Sequence, residues 1–128
     1  MSVTVVLLSH SAAVARGVAD LAGQMAPSAT VLAVGGTADG RLGTDADALE
    51  RAVRQAVSAG DEVALLVDLG SAVLTAKTVL ADLDDAPVAL VDAPFLEGAV
   101  AAVVTASIGA GLAEVVAQAG LARDLRKA

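Results

Sequence analysis

The sequence predicts an α/β domain built on a small, doubly wound sheet of four parallel strands in the order 2-1-3-4, with helices on both faces. Four short apolar runs occur along the chain, and residues with helical spacing follow each of them. The runs are continuously apolar rather than alternating, which is typical of parallel strands covered on both faces. The order places the third strand beside the first, as in flavodoxin-like sheets. With 128 residues, we expect one core and a single domain over residues 1–128.

The first strand is predicted at Val3–Leu8, where branched apolar residues run without interruption. The helix after it is indicated by apolar residues spaced by four, three and four positions, which describes one helix face. These residues are Val14, Val18, Leu21 and Met25. Pro27 and Ser28 end this helix.

The second strand is predicted at Thr30–Val34, and the glycine-rich segment Gly35–Gly40 closes it. Glycines there permit backbone conformations that other residues resist. Thr44, with Asp47 three residues later, resembles a capping box in which Asp replaces Glu. The following helix has its apolar face at Leu49, Val53, Ala56 and Val57.

The third and fourth strands are predicted at Val63–Val67 and Val88–Val91, and each is followed directly by an aspartate, Asp68 or Asp92. A helix lies between these strands. Its apolar positions are Val73, Ala76, Leu80 and Leu83.

The C-terminal region is predicted to be helical from Glu97 to the basic end at Arg123–Lys127, because basic residues suit a helix C-terminus. Gly109 and Gly111 are expected to kink this helix or split it in two. Its apolar residues point to more than one side, so one face covers the sheet and the other needs a second cover. We therefore predict a homodimer through this region. The residues concerned are Val100, Val103, Val104, Ile108, Leu112, Val115 and Val116.

Composition excludes several classes of protein. The net charge of -7 and the single aromatic residue, a Phe, argue against a nucleic-acid partner. The absence of cysteine rules out disulfides, thiolate catalysis and cysteine-bound zinc. No basic leader precedes the first strand, and the longest uncharged apolar stretch, Gly98–Ala113, is too short and too interrupted to span a bilayer. We expect a soluble, cytoplasmic protein that does not bind membranes.

His10 is the only histidine in the sequence, and it falls where the first strand passes into a helix N-terminus. If the third strand lies beside the first, Asp68 faces the same crevice. A carboxylate that accepts from one ring nitrogen fixes the tautomer and leaves the other nitrogen as a nucleophile, acid or base. A lone histidine often has no chemical role, but its place at a strand end beside an orienting carboxylate favours a functional one.

Gly70 and Ser71, which follow Asp68, offer backbone N–H donors and a hydroxyl at a helix N-terminus, a combination that suits a phosphoryl group. Taken alone, Asp68 reads as a helix cap and Gly70 with Ser71 as an ordinary helix start. No GxxxxGK[ST] loop or GxGxxG turn is present, so independent nucleotide binding is unsupported and no cofactor is predicted.

A metal site is not predicted. One histidine cannot make the usual multi-histidine zinc site. Asp45 and Asp47 begin like a calcium loop, but Leu49 stands where an Asp or Asn is needed. We interpret the segment as a capped, solvated helix start.

Taken together, these segments resemble the mannose-type IIA domains of the bacterial sugar phosphotransferase system, and among them the phosphotransferase subunits of phosphoenolpyruvate-dependent dihydroxyacetone kinases. The resemblance covers nearly the whole chain in order, and the glycine-threonine-glycine segment favours the dihydroxyacetone branch. The matching segments are Leu8–Ser11, Gly35–Thr37, Asp39–Arg41, Gly43–Thr44, Asp68–Ala72, Val91–Pro94, Glu97–Ala99 and Ala106–Gly109.

The resemblance implies a phosphoryl carrier. His10 would receive a phosphoryl group from the phosphohistidine of the phosphocarrier HPr and pass it to ADP on the nucleotide-binding subunit of the kinase. Asp68 would accept from Nδ1 of His10, so that Nε2 carries the phosphate. The expected phosphate-binding residues are Ser11, Gly36, Thr37, Gly70 and Ser71.

The sequence departs from the family in one respect. Mannose-type relatives carry a swapped fifth strand across their dimer, and no such strand is evident after Gly109. Some members also continue into phosphocarrier and enzyme I-like domains, which this chain lacks. The donor is therefore expected to be separate, or the chain to be a fragment.

Two other functions remain open from the residues. A receiver-like signalling module would be phosphorylated on Asp68, although the first strand ends in Ser9 and His10 rather than in the acidic pair that binds magnesium. A non-catalytic module would bind a partner or an anion at the same edge and take no covalent phosphate. The sequence does not specify which HPr donates, or the final acceptor.

Overall fold

The computed structural model describes residues 2–128, in which strands and helices alternate up to the last strand. All four predicted strands are present, each within one residue of its predicted ends. The strands are β1 Val3–Ser9, β2 Thr30–Gly35, β3 Glu62–Val67 and β4 Val88–Val91. The helices are α1 Ala12–Met25, α2 Ala46–Ser58, α3 Gly70–Ala81, α4 Phe95–Ser107 and α5 Leu112–Leu121, followed by a 3₁₀ turn at Ala122–Asp124.

The strands form one parallel sheet in the order β2-β1-β3-β4, which confirms the predicted topology. Every residue of β1 is buried, because this strand has a neighbour on each side and helices on both faces. In the register, Leu8 of β1 lies between Val34 of β2 and Val67 of β3. The carboxyl ends of β1 and β3 are therefore adjacent, and the chain leaves β1 towards β2 and later returns to β3. This is the switch point at which open α/β sheets bind ligands.

Two apolar layers enclose the sheet. On one face, β1 and β3 residues such as Val5 and Leu66 pack with α1, α4 and α5. On the other face, Val6 and Leu65 pack with α2 and α3. The predicted doubly wound arrangement is thus confirmed, and the core consists of Val, Leu and Ala.

The apolar face predicted for α1 is correct only at Val18, which packs against the core. Val14, Leu21 and Met25 are exposed by 45%, 46% and 60%, whereas Ala15 and Ala22 are almost fully buried. Alanine lets the helix axis approach the sheet closely, so the small residues face the strands and the larger ones are displaced to the flank. An outward apolar stripe on α1 results.

The start of α2 also differs from the predicted capping box. The N-cap is Asp45, whose side chain accepts a hydrogen bond from Ala48 N, and not Thr44. Thr44 instead shares a 2.6 Å hydrogen bond with Thr75 of α3. The interpretation of Asp45 as part of a capped helix start is confirmed, and the predicted face at Leu49, Val53 and Ala56 is buried.

Along α3, the predicted apolar positions are only partly correct. Ala76 is fully buried and Val73 and Leu80 are half-buried, but Leu83 lies beyond the end of α3. Ala72 and Val79, which were not predicted, fill the core. As in α1, small side chains occupy the positions closest to the sheet.

The C-terminal helical region is split, as predicted. Gly109 adopts a φ of 84° after α4, a conformation that favours glycine, and α5 then packs back on α4. Much of the second cover that α4 needs is therefore supplied by α5, which leaves Val104 and Ile108 exposed. The prediction that the helix continues to the basic end is wrong. The α5 helix ends at Leu121, and residues 125–128 lie outside any helix.

Candidate active site

His10 and Asp68 lie side by side at the carboxyl edge of the sheet. His10 directly follows β1 and Asp68 directly follows β3, and the two strands are neighbours. Asp68 N donates to Leu8 O at 3.1 Å, which extends the β1–β3 ladder to the site. The sheet register therefore sets the separation of the two side chains, and Nδ1 of His10 lies 3.0 Å from Oδ1 of Asp68.

The Asp68 carboxylate accepts four hydrogen bonds, two on each oxygen. Oδ1 accepts from Leu69 N at 2.7 Å and from Nδ1 of His10. Oδ2 accepts from Ser9 Oγ at 2.9 Å and from His10 N at 3.0 Å. Three of the four donors come from the Ser9–His10 strand end, so the carboxylate is fixed against the backbone that carries the imidazole.

These hydrogen bonds determine the charge of Asp68. Partial burial acts to raise its pKa, but the bonds donated by His10 N, the His10 ring, Ser9 and Leu69 stabilise the ionised form and together hold the pKa below its ordinary value. Asp68 is therefore a carboxylate at neutral pH and an obligate acceptor. An acceptor facing Nδ1 requires Nδ1 to carry the proton.

The Nε2 atom of His10 points to the N-terminus of α3. With the proton on Nδ1, Nε2 holds a lone pair and accepts from Ser71 Oγ, 2.7 Å away. His10 thus has one nitrogen committed to Asp68 and the other presented as a nucleophile beside a hydroxyl. The His10 side chain is 25% exposed, so a reacting group can approach Nε2 from solvent.

The first turn of α3 is suited to an anion. Leu69 is its N-cap and makes no side-chain capping bond. The N–H groups of Gly70 and Ser71 lie in the first helical turn, where they have no intrahelical carbonyl partner. Backbone donors and the positive end of the helix dipole therefore face the region next to Nε2.

The other predicted phosphate-binding residues are less directly placed. Ser11 is the N-cap of α1, and its Oγ accepts from Val14 N at 3.2 Å. Gly36 N donates to Ser9 O at 3.3 Å. Thr37 bonds within its own loop, where Oγ1 donates to Asp39 and accepts from Arg41 N. None of the hydrogen bonds of Gly36 and Thr37 runs to the His10 side chain, whereas the bond of Ser71 does.

The β2–α2 loop nevertheless supports the site. Gly43 N donates to His10 O at 2.8 Å, so the loop holds the backbone of the histidine from the side opposite Asp68. At Gly35 a Cβ atom would lie 2.5 Å from Ser11 O, so the chain beside α1 requires glycine at this position. Gly36 has a φ of 73°, which turns the chain into the loop.

Sequence reasoning assigned no role to Ser9, to the Leu69 amide or to the Gly43 amide. Ser9 carried a detectable signal, because it is a polar residue directly after the buried apolar run of β1. The two amides carried none, since every residue except proline has one. Asp92, the other aspartate at a strand end, lies outside the site; its carboxylate is 97% exposed and pairs with Arg123.

The site is an open edge and not an enclosed cavity. A concavity of about 540 Å³ is lined by the second half of α2 and by the turn at residues 82–86, at the opposite, amino edge of the sheet. Residues 2–128 contain no cluster of three or more His, Asp or Glu side chains placed to hold a metal ion. In that same range, every helix is too short or too polar to cross a bilayer.

Residues 4–116 match the sequence family described as the phosphotransferase system (PTS) fructose IIA component, EIIA-man. The chain belongs to this family. The match includes β1 with His10, β3 with Asp68, and Ser71 at the start of α3. It confirms the resemblance to mannose-type IIA domains.

Curated relatives of this IIA-family chain are phosphoryl donor subunits. The chain is 40% identical to PEP-dependent dihydroxyacetone kinase 1, phosphoryl donor subunit DhaM, of Listeria innocua, over 76% of each chain. It is 36% identical to the DhaM subunits of Klebsiella michiganensis and Escherichia coli K12 over 98% of its own length. It spans only 28% of those two proteins.

Solved structures confirm the fold. A crystal structure of a protein of unknown function superposes with a TM-score of 0.84 at 34% identity and covers 94% of each chain. A sigma-54 interaction domain protein from Enterococcus faecalis superposes with a TM-score of 0.74. Its identity is 16%, and this likeness concerns the fold alone.

Proposed function

We propose that this chain is a phosphoryl carrier that accepts phosphate on Nε2 of His10 from phospho-HPr and passes it to ADP on the nucleotide-binding subunit of a dihydroxyacetone kinase. Family membership and the DhaM relatives support the general role. The single observation that carries the assignment to His10 is its hydrogen-bond pattern: Nδ1 is bound to Asp68, and Nε2 is directed at Ser71 and the N-terminus of α3.

In the accepting step, the Nε2 lone pair attacks the phosphorus of the donor phosphohistidine in line with the donor N–P bond. An N–P bond forms to Nε2, and the electrons of the broken bond return to the donor nitrogen. The proton on Nδ1 stays in its bond to Asp68, whose negative charge stabilises the positive charge that develops on the ring. No proton has to leave His10.

In the donating step, a terminal phosphate oxygen of ADP attacks the same phosphorus. The Nε2–P bond breaks, its electrons return to Nε2, and ATP forms on the other protein. Such transfers need in-line positioning and charge stabilisation more than covalent assistance from further residues. One nucleophile, one orienting carboxylate and a few donors at a helix N-terminus supply both.

The open position of His10 supports a protein donor. A phosphohistidine held on another protein must be brought within bonding distance of Nε2, which an enclosed pocket would prevent. Leucines on both sides of the site are strongly exposed: Leu42, next to Gly43, by 79%, and Leu69, next to Asp68, by 60%. Exposed apolar groups around a reactive atom suit contact with a partner protein.

The receiver-like alternative is less well supported by the geometry. It requires an oxygen of Asp68 to attack phosphorus, but each oxygen already accepts two hydrogen bonds. The last residue of β1 is Ser9 and the next is His10, so neither supplies a carboxylate to bind magnesium. Hydroxylamine distinguishes the two linkages, because it cleaves an acyl phosphate on aspartate.

We further propose that the homodimer predicted through the C-terminal helical region forms on the exposed side of α4, with the outer side of α1 beside it. Val104 on α4 and Ile108 directly after it are exposed. The apolar stripe of α1, with Leu21 and Met25, is also exposed, and α1 packs against α4. A second copy would cover both stripes. Sedimentation tests this directly, and a monomer at micromolar concentration would remove the proposal.

The proposed function is tested by intact-protein mass spectrometry after incubation with phosphoenolpyruvate, enzyme I and HPr, each omitted in turn. We expect one phosphoryl adduct that requires all three and is absent from His10→Ala. A phosphorylated His10→Ala protein would refute the assignment to this residue. No adduct on the native chain, with enzyme I and HPr active on a known substrate, would favour a non-catalytic binding module.

A further inference from the structure

Ser9 is a buried polar residue whose hydroxyl lies between two parts of the site. Its residue exposure is 0%, at the end of a strand whose only other polar residue is Thr4. The hydroxyl donates to Asp68 Oδ2 at 2.9 Å and accepts from Ser11 N at 3.0 Å. A buried hydroxyl is tolerated when it is hydrogen-bonded, and this one makes both a donated and an accepted bond.

We infer that Ser9 is a positioning residue, which orients the Asp68 carboxylate and thereby keeps Nε2 of His10 free to take the phosphoryl group. The catalytic part of this inference rests on the proposed function. Ser9 does not touch the reacting atoms. It acts through Asp68 on one side of His10 and through the start of α1 on the other.

The carboxylate needs such an anchor because the torsion that rotates it is broad and roughly two-fold. Oδ2 has two donors, Ser9 Oγ and His10 N. If the Ser9 hydroxyl is removed, the backbone N–H alone holds Oδ2, and the plane of the carboxylate is less restricted. Because Oδ1 of Asp68 then faces Nδ1 of His10 for only part of the time, the population of the tautomer with the proton on Nε2 increases. That tautomer has no lone pair on Nε2 with which to attack phosphorus.

The second bond acts on the backbone. Ser11 N donates to Ser9 Oγ, and Ser11 is the N-cap that begins α1 directly after His10. The hydroxyl thus links the two residues that flank the histidine. In the chain from Ser11 N through Ser9 Oγ to Asp68 Oδ2, each bond polarises the next.

The structure contains a matched control at the other end of β1. Thr4 is 1% exposed, and its Oγ1 donates to Asp61 Oδ2 at 2.8 Å. Asp61 immediately precedes β3, as Asp68 immediately follows it. Thr4→Val therefore removes a buried hydroxyl–aspartate bond between the same two strands, far from His10. This variant measures the loss of stability caused by removing such a hydrogen bond, without any change to the contacts of His10.

The test uses the ¹⁵N resonances of the imidazole, which belong to one residue because His10 is the only histidine. Couplings to the ring protons Hε1 and Hδ2 distinguish Nε2 from Nδ1. We expect Nδ1 to carry the proton in the neutral ring of the native chain. In Ser9→Ala, the proportion of the Nε2-protonated tautomer should rise, and the single-turnover rate of phosphoryl transfer should fall roughly tenfold, the effect seen when an outer partner of a metal-binding histidine is lost. The concentration of donor at half-saturation should stay unchanged.

Ser9→Thr keeps the hydroxyl and is expected to restore the native tautomer and rate, whereas Thr4→Val leaves both unaltered while lowering stability. Ser9→Cys keeps the shape of the side chain with a larger atom and a weaker donor, so its tautomer ratio should lie between those of the native chain and Ser9→Ala. If Ser9→Ala does not fold, the tautomer ratio of Ser9→Cys is measured in its place. Native tautomer ratios in Ser9→Ala or Ser9→Cys, with stability reduced as in Thr4→Val, would overturn the inference and leave Ser9 a structural residue.

The two proposals fail separately. A shifted tautomer in a chain that HPr never phosphorylates would retain the positioning role and reject the carrier function. Normal phosphorylation of the native chain, with an unchanged tautomer and rate in Ser9→Ala, would retain the carrier function and reject the positioning role of Ser9.

Discussion

Ser71 Oγ lies 2.7 Å from Nε2 of His10, the atom that the other contacts of the ring leave free. In the unphosphorylated chain the hydroxyl donates to the nitrogen lone pair. In the proposed transfer, that bond breaks before Nε2 attacks phosphorus, and the hydroxyl then turns towards an oxygen of the incoming group. In the proposed mechanism, Ser71 therefore stabilises both the resting state and the transition state, and only the difference between these two contributions affects the rate.

We predict that Ser71→Ala slows phosphoryl transfer to His10 by roughly three- to tenfold. A hydrogen bond to a charged group contributes about 1.5–3 kcal/mol, and the loss of the resting-state bond offsets part of this. Stopped-flow or quench-flow measurement of phosphorylation by phospho-HPr provides the rate. Thr78→Ala is the control, because Thr78 is on the same helix and its hydroxyl bonds only to Leu74 O. Equal rates in both variants would show that Ser71 does not contact the phosphoryl group.

Asp68→Ala is expected to slow transfer without abolishing phosphorylation. The charge-assisted bond to Nδ1 contributes about 1.5–3 kcal/mol, so the expected loss is roughly 10- to 150-fold. The nucleophile itself remains, which is why some adduct should still form. Rapid-quench kinetics followed by intact-mass measurement gives both the rate and the final extent. Native kinetics in this variant would reduce Asp68 to a structural cap of the β3–α3 turn.

The sheet and the His10–Asp68 pair were predictable from the sequence for the same reason. Continuous apolar runs require strands covered on both faces, and adjacent β1 and β3 then place the residues after them together. The pairing needs only strand order, and no knowledge of rotamers. The contact of Ser71 with Nε2 was not predictable in this way, because it depends on where the first turn of α3 directs a single side chain.

Two errors had one physical cause, which is that small residues decide how closely a helix approaches a sheet. Hydrophobic periodicity gives more weight to Val14, Leu21 and Met25 than to the alanines, yet Ala15 and Ala22 face the core of this alanine-rich chain. The inner face of α3 was displaced in the same way. The N-cap predicted for α2 was wrong for a different reason. Thr44 and Asp45 are adjacent and both are able to cap a helix, so composition alone does not choose between them.

The pH dependence of stability should report Asp68. Its pKa is lower in the folded chain than the unfolded value of about 3.9, so the folded state binds fewer protons in this range. The resulting stabilisation is fully present above that value and is lost as the pH falls towards the folded pKa. We predict that Asp68→Asn, which does not titrate, flattens the acid side of the stability curve below about pH 5.

Urea unfolding at a series of pH values measures this effect as the difference between the native chain and Asp68→Asn. Asp39 and Glu97 also have lowered pKa values, but both are present in the two proteins and cancel in the comparison. Thr4→Val serves as a destabilised control that keeps Asp68. Parallel curves for the native chain and Asp68→Asn would show that the pKa of Asp68 is the same in the folded and unfolded chains.

The exposed leucines next to the site give a prediction for the donor complex. Leu42 is 79% exposed beside Gly43, and Leu74 is 70% exposed one turn after Ser71 on α3. A protein that brings its phosphohistidine to Nε2 has to cover this surface. A leucine that a partner covers only in part contributes less than the value for full burial, about 0.7 kcal/mol, so the pair contributes about 1.4 kcal/mol, which corresponds to a tenfold change in affinity. We therefore expect Leu42→Ala combined with Leu74→Ala to raise KM for phospho-HPr about tenfold with little change in kcat, because the truncations remove binding area and leave the reacting groups in place. Leu121→Ala is the control, since Leu121 is 57% exposed at the end of α5, and the residue two positions on, Arg123, pairs with Asp92 after the edge strand β4 and not with the residues around His10. Equal KM values for the control and the double variant would exclude these leucines from the interface, and a fall in kcat alone would indicate that they shape the site rather than bind the donor.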